Sequence, residues 1–455
     1  MLFVCLLWWH IQRFDCNSSL KFLYMKFKPY SLHNFRDIPQ IESLTEEQKF
    51  NIEVVGTVLP FRTNNYVVDK LIDWNNFEND PFFILNFPQK EMLDKDSFGR
   101  IAALLKNNTP KPFLQKEINK IRLKLNPNPA GQESNVPVFE GKRLNGIQHK
   151  YREIMLFFPS QGQTCHAYCT FCFRWPQFAL NEFKFAMKEA DTMVRYLKAN
   201  PEITDVLFTG GDPAVMKTRF FKEYFEALLD ADIPHLRNIR IGTKSLAYWP
   251  YRYTTDDDAD DLLRLFEKVK KKGINIALMA HFNHPGELKT REVKKAIKRL
   301  IGAGVQIRSQ SPLLRNINDH PDIWAENWKE QVKQGIIPYY MFVARDTGAQ
   351  DYFAVKLNRA WQIFRNAYNQ VSGIHRTVKG PSMSCSPGKV QIVGISEING
   401  EKVFVLNFLQ GRDSSWVGKP FHAKFDPNAI WFDQLEPAFG ESNFFFEDLY
   451  YEMHA

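Results

Sequence analysis

Residues 163–176 read QTCHAYCTFCFRWP. They place Cys165, Cys169 and Cys172, half of the six cysteines in a 455-residue chain, within eight residues. The spacing is C-x3-C-x2-C, close enough for three thiolates to converge on one metal centre. A structural zinc takes four ligands, usually as two pairs, and no second pair is present. His166 adjoins Cys165 and would have to turn back to serve as a fourth ligand. An iron–sulfur cluster fits better, because its irons take cysteine thiolates individually. Three thiolates leave one iron of a four-iron cluster open, and an open coordination position is where a metal centre reacts. The competing possibility, three unrelated free thiols, is disfavoured by the crowding itself.

The pattern on either side of this loop sets the fold class. Short apolar runs alternate with helical stretches, and strands are expected at Glu153–Phe158, Asp205–Thr209, Asn238–Thr243, Ile274–His281, Val305–Ser309 and Ile337–Val343. Between them, DADDLLRLFEKVKKKG opens with acids, closes with lysines and stops at Gly273, as helix dipole and C-cap rules require. FKFAMKEADTMVRYL and REVKKAIKRLIGAG also read as helices, the latter ending at Gly302 or Gly304. Alternating strands and helices imply an α/β fold with a parallel sheet. Six units are too few for an eight-unit barrel and suit a partial barrel or a doubly wound sheet. Either architecture gathers chemistry at the C-terminal ends of the strands. There lie the cysteine loop, TGGDP (209–213), HFNHP (281–285) and SQSPLLRNIND (309–319).

The rest of the chain bounds the function. It is 44% hydrophobic and 24% charged, ordinary for a globular protein, with a formal net charge of +8 spread along its length. No nucleic-acid-binding motif is visible, and runs such as Lys270–Lys272 read as a solvated helix face. Cys5, Cys16 and Cys385 are scattered, so a reducing, cytoplasmic compartment is expected. MLFVCLLWW at the N-terminus is apolar but too short to span a bilayer, and it lacks a basic flank and a cleavage site. No membrane association is expected, and Met25 is a second candidate start. Residues 1–145 read as helices and proline-bearing turns, ending in the loop NPNPAGQESNVPVF (126–139).

C-x3-C-x-aromatic-C, with Phe171 as the aromatic, resembles the signature of radical S-adenosylmethionine enzymes. The resemblance implies a [4Fe-4S] cluster on Cys165, Cys169 and Cys172, with the open iron binding S-adenosylmethionine and an electron donor of flavodoxin or ferredoxin type. Gly210, Gly211 and Asp212 match the family's Gly-Gly-acid motif, which lines the methionine moiety. VLPFRTNNYVVDKLIDW, NPNPAGQESNVP, HFNHPGELKT and SQSPLLRNIND narrow the resemblance to lysine 2,3-aminomutase and its relatives, over residues from about 58 to 389. That family moves an α-amino group to the β-carbon, using an adenosyl radical together with pyridoxal 5′-phosphate. The implied layout is an N-terminal mostly helical region (1–145), a partial (βα)6 barrel (146–375) and a C-terminal α+β extension (376–455). By the same resemblance Lys389 carries pyridoxal phosphate and Arg174 pairs with the α-carboxylate of a small amino-acid substrate. A homo-oligomer is expected. Only Gly388 survives of the glycine run that precedes the family's lysine. A radical enzyme without pyridoxal phosphate, or a non-catalytic iron–sulfur protein, therefore remains as an alternative.

The match breaks at substrate recognition. Lysine-specific members grip the distant ammonium with two aspartates. At the matching places stand Arg345, with Asp346 one residue later, and Ser382. A cation where an anion is needed disfavours an ammonium. Either Asp346 shifts in to restore lysine binding, or the substrate is a non-lysine amino acid such as glutamate, with Arg345 its carboxylate partner. The C-terminal tail after Cys385 has no cysteines, so no structural zinc is expected there. His281 and His284 lack a third ligand and carry no metal expectation.

Overall fold

The computed structural model describes residues 25–127, 134–179 and 185–453. The apolar N-terminal stretch with Cys5 and Cys16, and the centre of the 126–139 loop, lie outside the described residues. The helix expected from Phe183 begins only at Ala190: Phe183 and Lys184 lie outside the described residues, and Phe185–Glu189 are not helical, with Met187 bridging to Pro159.

Among the described residues one sheet of eleven strands dominates, and its spatial order follows chain order. We number these strands β1 (Ile147–Tyr151), β2 (Ile154–Phe157), β3 (Asp205–Phe208), β4 (Asn238–Thr243), β5 (Asn275–His281), β6 (Gln306–Leu313), β7 (Ile337–Val343), β8 (Lys379–Ser384), β9 (Gly388–Ile398), β10 (Glu401–Gly411) and β11 (Pro420–Lys424). β2 through β8 run parallel to one another, with β1 antiparallel at the edge of β2. The six strands expected from sequence are β2 to β7, and the next segment adds a seventh parallel strand. β9, β10 and β11 then continue the sheet as antiparallel hairpins. The fold is α/β, as expected.

The sheet alternates as a half-buried strand must. In β6, Ile307, Ser309, Ser311 and Leu313 are buried, while Gln306, Arg308, Gln310 and Pro312 are less so. This strand runs to Leu313, so Ser309–Pro312 belong to it rather than to the loop after it. Helices Ala259–Lys271 and Arg291–Gly302 cover the outer face with Leu262, Phe266, Val269, Ala296, Ile297 and Leu300. The N-terminal region packs its own helices into the same core through Val54, Val55, Val58 and Tyr66. Its first long helix, Glu46–Val58, starts at a capping box formed by Thr45 and Gln48. A second core unites Met383, Val390, Phe404 and Phe408 with the aromatic tail, through Phe432, Phe444 and Phe446. The tail aromatics are therefore packing residues.

Candidate active site

Two adjoining cavities lie along the parallel strands, the first at their C-terminal ends and the second against their middle and N-terminal parts. One, of about 300 Å³, is lined by the cysteine loop, the glycine turn after β3, Lys244, His281 and Gln310. The other, of about 210 Å³, is lined by Lys150, Arg240, Tyr340, Lys389 and Gln410. They share a wall that includes Arg174, Met279, Gln310, Arg345 and Ser384. The sequence-predicted residues Cys165, Cys169, Cys172, Gly210, Gly211, Asp212, Arg174, Arg345 and Lys389 all line one or both cavities.

The cysteine loop has no regular structure, so neighbouring segments satisfy its backbone. The Tyr168 N–H donates to the Arg62 carbonyl (2.8 Å), and the Thr170 N–H to that of Leu85 (3.0 Å). Asn64 Nδ2 donates to the carbonyls of His166 (3.1 Å) and Tyr248 (3.0 Å). Arg62 also reaches Thr164 Oγ1 at 3.1 Å. The N-terminal region thus clamps the loop. From the other side the glycine turn presses on it. The Asp212 N–H donates to the Thr164 carbonyl at 2.7 Å. A Cβ on Gly211 would meet the Thr164 backbone at 2.5 Å, and Gly210 holds φ +130° against the Gln163 side chain. The Asp212 carboxylate is used internally, accepting from Thr243 Oγ1 (2.6 Å) and from the N–H groups of Lys244 and Ala214 (both 2.9 Å).

All three cysteines are half-buried and line the first cavity. Desolvation drives all three upward, Cys172 to about 11 and Cys169 to about 12, and at Cys165 Asp212 adds to the effect. Among the described residues no three His, Cys, Asp or Glu side chains gather tightly enough for a single metal ion. A polynuclear cluster sets no such requirement, since each iron takes its own thiolate. The donor set therefore fits a cluster. His166 takes no part: it is buried against Phe27 and Trp249. His281 lines the first cavity, whereas His284 Nδ1 accepts the Gly286 N–H (3.2 Å), so the two rings serve different places.

At the other end Lys389 is the second residue of β9. Its Nζ donates to Gln410 Oε1 (2.9 Å) and sits over the Tyr340 ring, 4.0 Å from the centroid. Cross-strand register places Ser384, Lys389 and Gln410 in one row. Gly388 permits the hairpin, because a Cβ there would meet the Gln410 carbonyl at 2.4 Å. Burial, with Arg240 and Lys379 adding repulsion, lowers Lys389 to about 7. Lys150, which carries no motif signal, lines the same cavity and donates to the Cys385 carbonyl. It is likewise lowered to about 7 by burial, then by Arg412.

Between the two ends lie the arginines. Arg174 packs over Phe158 (4.7 Å) and Phe173 (5.0 Å), and its buried Nη1 has no hydrogen-bond partner. Burial lowers it to about 10. Arg345 sits over Phe173 (5.5 Å) and Trp431 (5.6 Å), with Nε 3.3 Å from Asp346 Oδ1. Asp346 lines neither cavity, nor does Asp433. Ser382 lines neither as well: it is fully buried and donates to the Met341 carbonyl at 3.4 Å. Ser384, two residues further on the same face, is the serine that reaches both cavities. Among the described residues, Asp212 is the one carboxylate in either wall, and its oxygens already accept three hydrogen bonds.

Sequence reasoning passed over Lys244. It follows β4, the position where α/β sites collect residues. Its Nζ makes a buried ion pair with Glu287 Oε1 (2.6 Å) and donates to Asn283 Oδ1 (2.8 Å). Lys150, Arg240 and Gln410 were passed over too, and no local pattern marks them.

No protein-family model matches the chain. It is 31% identical over 398 residues to "Putative L-lysine 2,3-aminomutase" of Aquifex aeolicus, covering 87% of this chain and 93% of that protein. It is 25% identical over 365 residues to L-lysine 2,3-aminomutase of Methanococcus maripaludis, covering 80% and 71%. With L-lysine 2,3-aminomutase of Clostridium subterminale it shares 27% identity over 271 residues, covering 60% and 62%. Among solved structures, a radical SAM methyltransferase from Sphaerobacter thermophilus aligns at 14% identity with a TM-score of 0.34, covering 51% of this chain and 68% of that one.

Proposed function

The chain belongs to the lysine 2,3-aminomutase family of radical S-adenosylmethionine isomerases, and from that premise we propose a pyridoxal-phosphate-dependent amino-acid 2,3-aminomutase whose substrate is not lysine. The observation that carries it is a buried amine, Lys389, lowered to about 7 in a cavity that shares a wall with the three-thiol loop. In this proposal β2 to β7 form the partial (βα)6 barrel. Cys165, Cys169 and Cys172 hold the [4Fe-4S] cluster, and Gly210, Gly211 and Asp212 shape the S-adenosylmethionine site. When bound, the cluster with S-adenosylmethionine supplies a carbon-centred radical, and pyridoxal phosphate supplies the carbonyl that captures an amino group.

The residues then divide the work. Lys389 presents a neutral amine at Nζ near pH 7, the form that attacks a carbonyl. Gln410 Oε1 accepts from that Nζ and the Tyr340 ring covers it, which fixes its direction. Arg174, with an unsatisfied Nη1 and two aromatic rings behind it, is preset for a carboxylate fork. Arg345 lines both cavities while Asp346 stays outside them, so the place that would hold a distal ammonium carries a cation. A substrate with a neutral or acidic side chain, glutamate among them, suits that charge. Phe171, Phe173 and Phe342 line the first cavity and keep its wall apolar, which shields a radical from water. An external one-electron donor of flavodoxin or ferredoxin type and self-association complete the proposal.

The test is anaerobic reconstitution with iron, sulfide, S-adenosylmethionine and pyridoxal phosphate, followed by chromatography of the product from each amino acid. A β-amino acid from glutamate or a neutral amino acid is expected. Efficient turnover of lysine with none of glutamate would overturn the substrate assignment. The absence of any β-amino acid, despite cleavage to 5′-deoxyadenosine, would overturn the aminomutase assignment.

A further inference from the structure

Beside the cysteine loop stands a buried phenol with no part in the mechanism above. Tyr248 ends the short helical turn Ser245–Tyr248 and is 1% exposed. Its Oη lies 4.0 Å from Cys169 Sγ. It also accepts a hydrogen bond from Asn86 Nδ2 at 3.3 Å, whose amide group donates to the Phe82 carbonyl as well, at 2.9 Å. The Asn86 bond occupies a lone pair on the phenol oxygen and leaves the O–H proton for another acceptor. The thiol of Cys169 can donate to this oxygen only while it keeps its own proton. A metal-bound sulfur has none, so the direction must reverse and the phenol must donate.

The surroundings favour that donation. The Lys244 ammonium sits 4.5 Å from the Tyr248 ring centroid. Glu287, Asn283 and the His281 carbonyl fix it there. A cation over the ring face draws electron density from the phenol and strengthens its O–H as a donor. Tyr248 itself is buried, which holds its hydroxyl away from bulk solvent.

We infer that Tyr248 is a positioning residue that donates a hydrogen bond to the Cys169 sulfur of the assembled cluster and thereby raises its reduction potential. This rests on Cys169 being a cluster ligand. Reduction adds one electron from the external donor, and the added negative charge is shared by the sulfurs. A donor aimed at one of them therefore stabilises the reduced form more than the oxidised form.

The experiment is an electron-paramagnetic-resonance redox titration of the anaerobically reconstituted holoenzyme, with iron and sulfide content measured on each sample. Tyr248→Phe keeps the ring and its cation contact and removes only the hydroxyl. Its midpoint is expected to move negative by roughly a tenfold change in the reduced-to-oxidised ratio, about 59 mV for one electron. Replacing Tyr248 with 3-fluorotyrosine strengthens the donor and is expected to move the midpoint positive. A merely structural role would not give opposite signs. Midpoints equal to the native value in both proteins would overturn the inference. If Tyr248→Phe fails to take up a cluster, the fluorinated protein decides alone. A native protein with no reducible centre would instead refute Cys169 as a ligand, and the inference with it.

Discussion

The two ends of the double cavity are opposites in charge and in construction. At one end three thiols are pushed up by burial; at the other, two lysines are pushed down. Each end shifts its groups toward their neutral forms, because burial penalises the charged form. The thiol end is completed by cations, the amine end by anions or by a carbonyl. The thiol end is an irregular loop gripped by the N-terminal region and the glycine turn. The amine end stands on the paired strands β8, β9 and β10, where register alone sets position. A metal cluster needs sulfurs from a loop that bends around it, whereas a nucleophilic amine needs one rigid direction.

The sharpest way to break this contrast is to remove one end and examine the other. Cys169→Ala is expected to take cluster iron and S-adenosylmethionine cleavage below detection, measured as 5′-deoxyadenosine. It should leave pyridoxal phosphate absorbance intact. Lys389→Ala should do the reverse, losing the absorbance and keeping the iron. If either variant abolishes both signals, the ends are one folding unit rather than two sites.

The shared wall comes next. Arg174→Ala should lower kcat/KM by about 10²- to 10³-fold, the cost of losing a buried charged hydrogen-bond partner. Iron content and chromophore should stay at native levels. An unchanged kcat/KM would place the substrate carboxylate elsewhere.

A smaller effect tests the clamp. Asn64→Ala removes the donor to the His166 and Tyr248 carbonyls and the cap on helix Asn65–Lys70. It should destabilise the fold by about 2 kcal/mol in a denaturant titration, with loss of iron at lower denaturant than loss of the chromophore. Simultaneous loss of the two would remove the distinction between a clamped loop and a strand-borne lysine.

The smallest effect is in pH. Lys389 is lowered to about 7, so its reactive neutral fraction rises with pH through that value and levels off about one unit above it. The rate of chromophore formation should therefore climb about fivefold between pH 6 and 7, about twofold more by pH 8, and flatten beyond. Stopped-flow absorbance checks this. A rate that keeps climbing toward pH 10 would mean an ordinary, solvated lysine.

The sheet was legible in the sequence because apolar alternation is local. β4 and β7 have the expected bounds, and β2, β3 and β5 differ by a residue or so at their ends. β6 ran longer than expected, since Pro312 reads as a breaker but lies among its last residues, where the strand's partner β7 still pairs with it. β8 was not anticipated, because a short run of Lys, Gly, Pro and Ser lacks a strand signature. At the site, the cysteine loop and the glycine turn were legible as motifs. That they interlock, Thr164 against Gly211, was not. Ser382, named from the resemblance, is buried and lines neither cavity, whereas Ser384 reaches both.

The sequence by itself determined the thiol spacing, the glycine turn and the alternation of strands and helices. These depend on near neighbours in the chain. Only the tertiary structure decided which amines are neutral and which arginine is unpaired. It also decided that Asp346 stays outside both cavities. Those properties come from distant groups: Lys389 is lowered by burial with Arg240 and Lys379 beside it, and Lys150 by burial with Arg412. A pKa is a property of the space around a group, and that space is assembled only when the strands have paired.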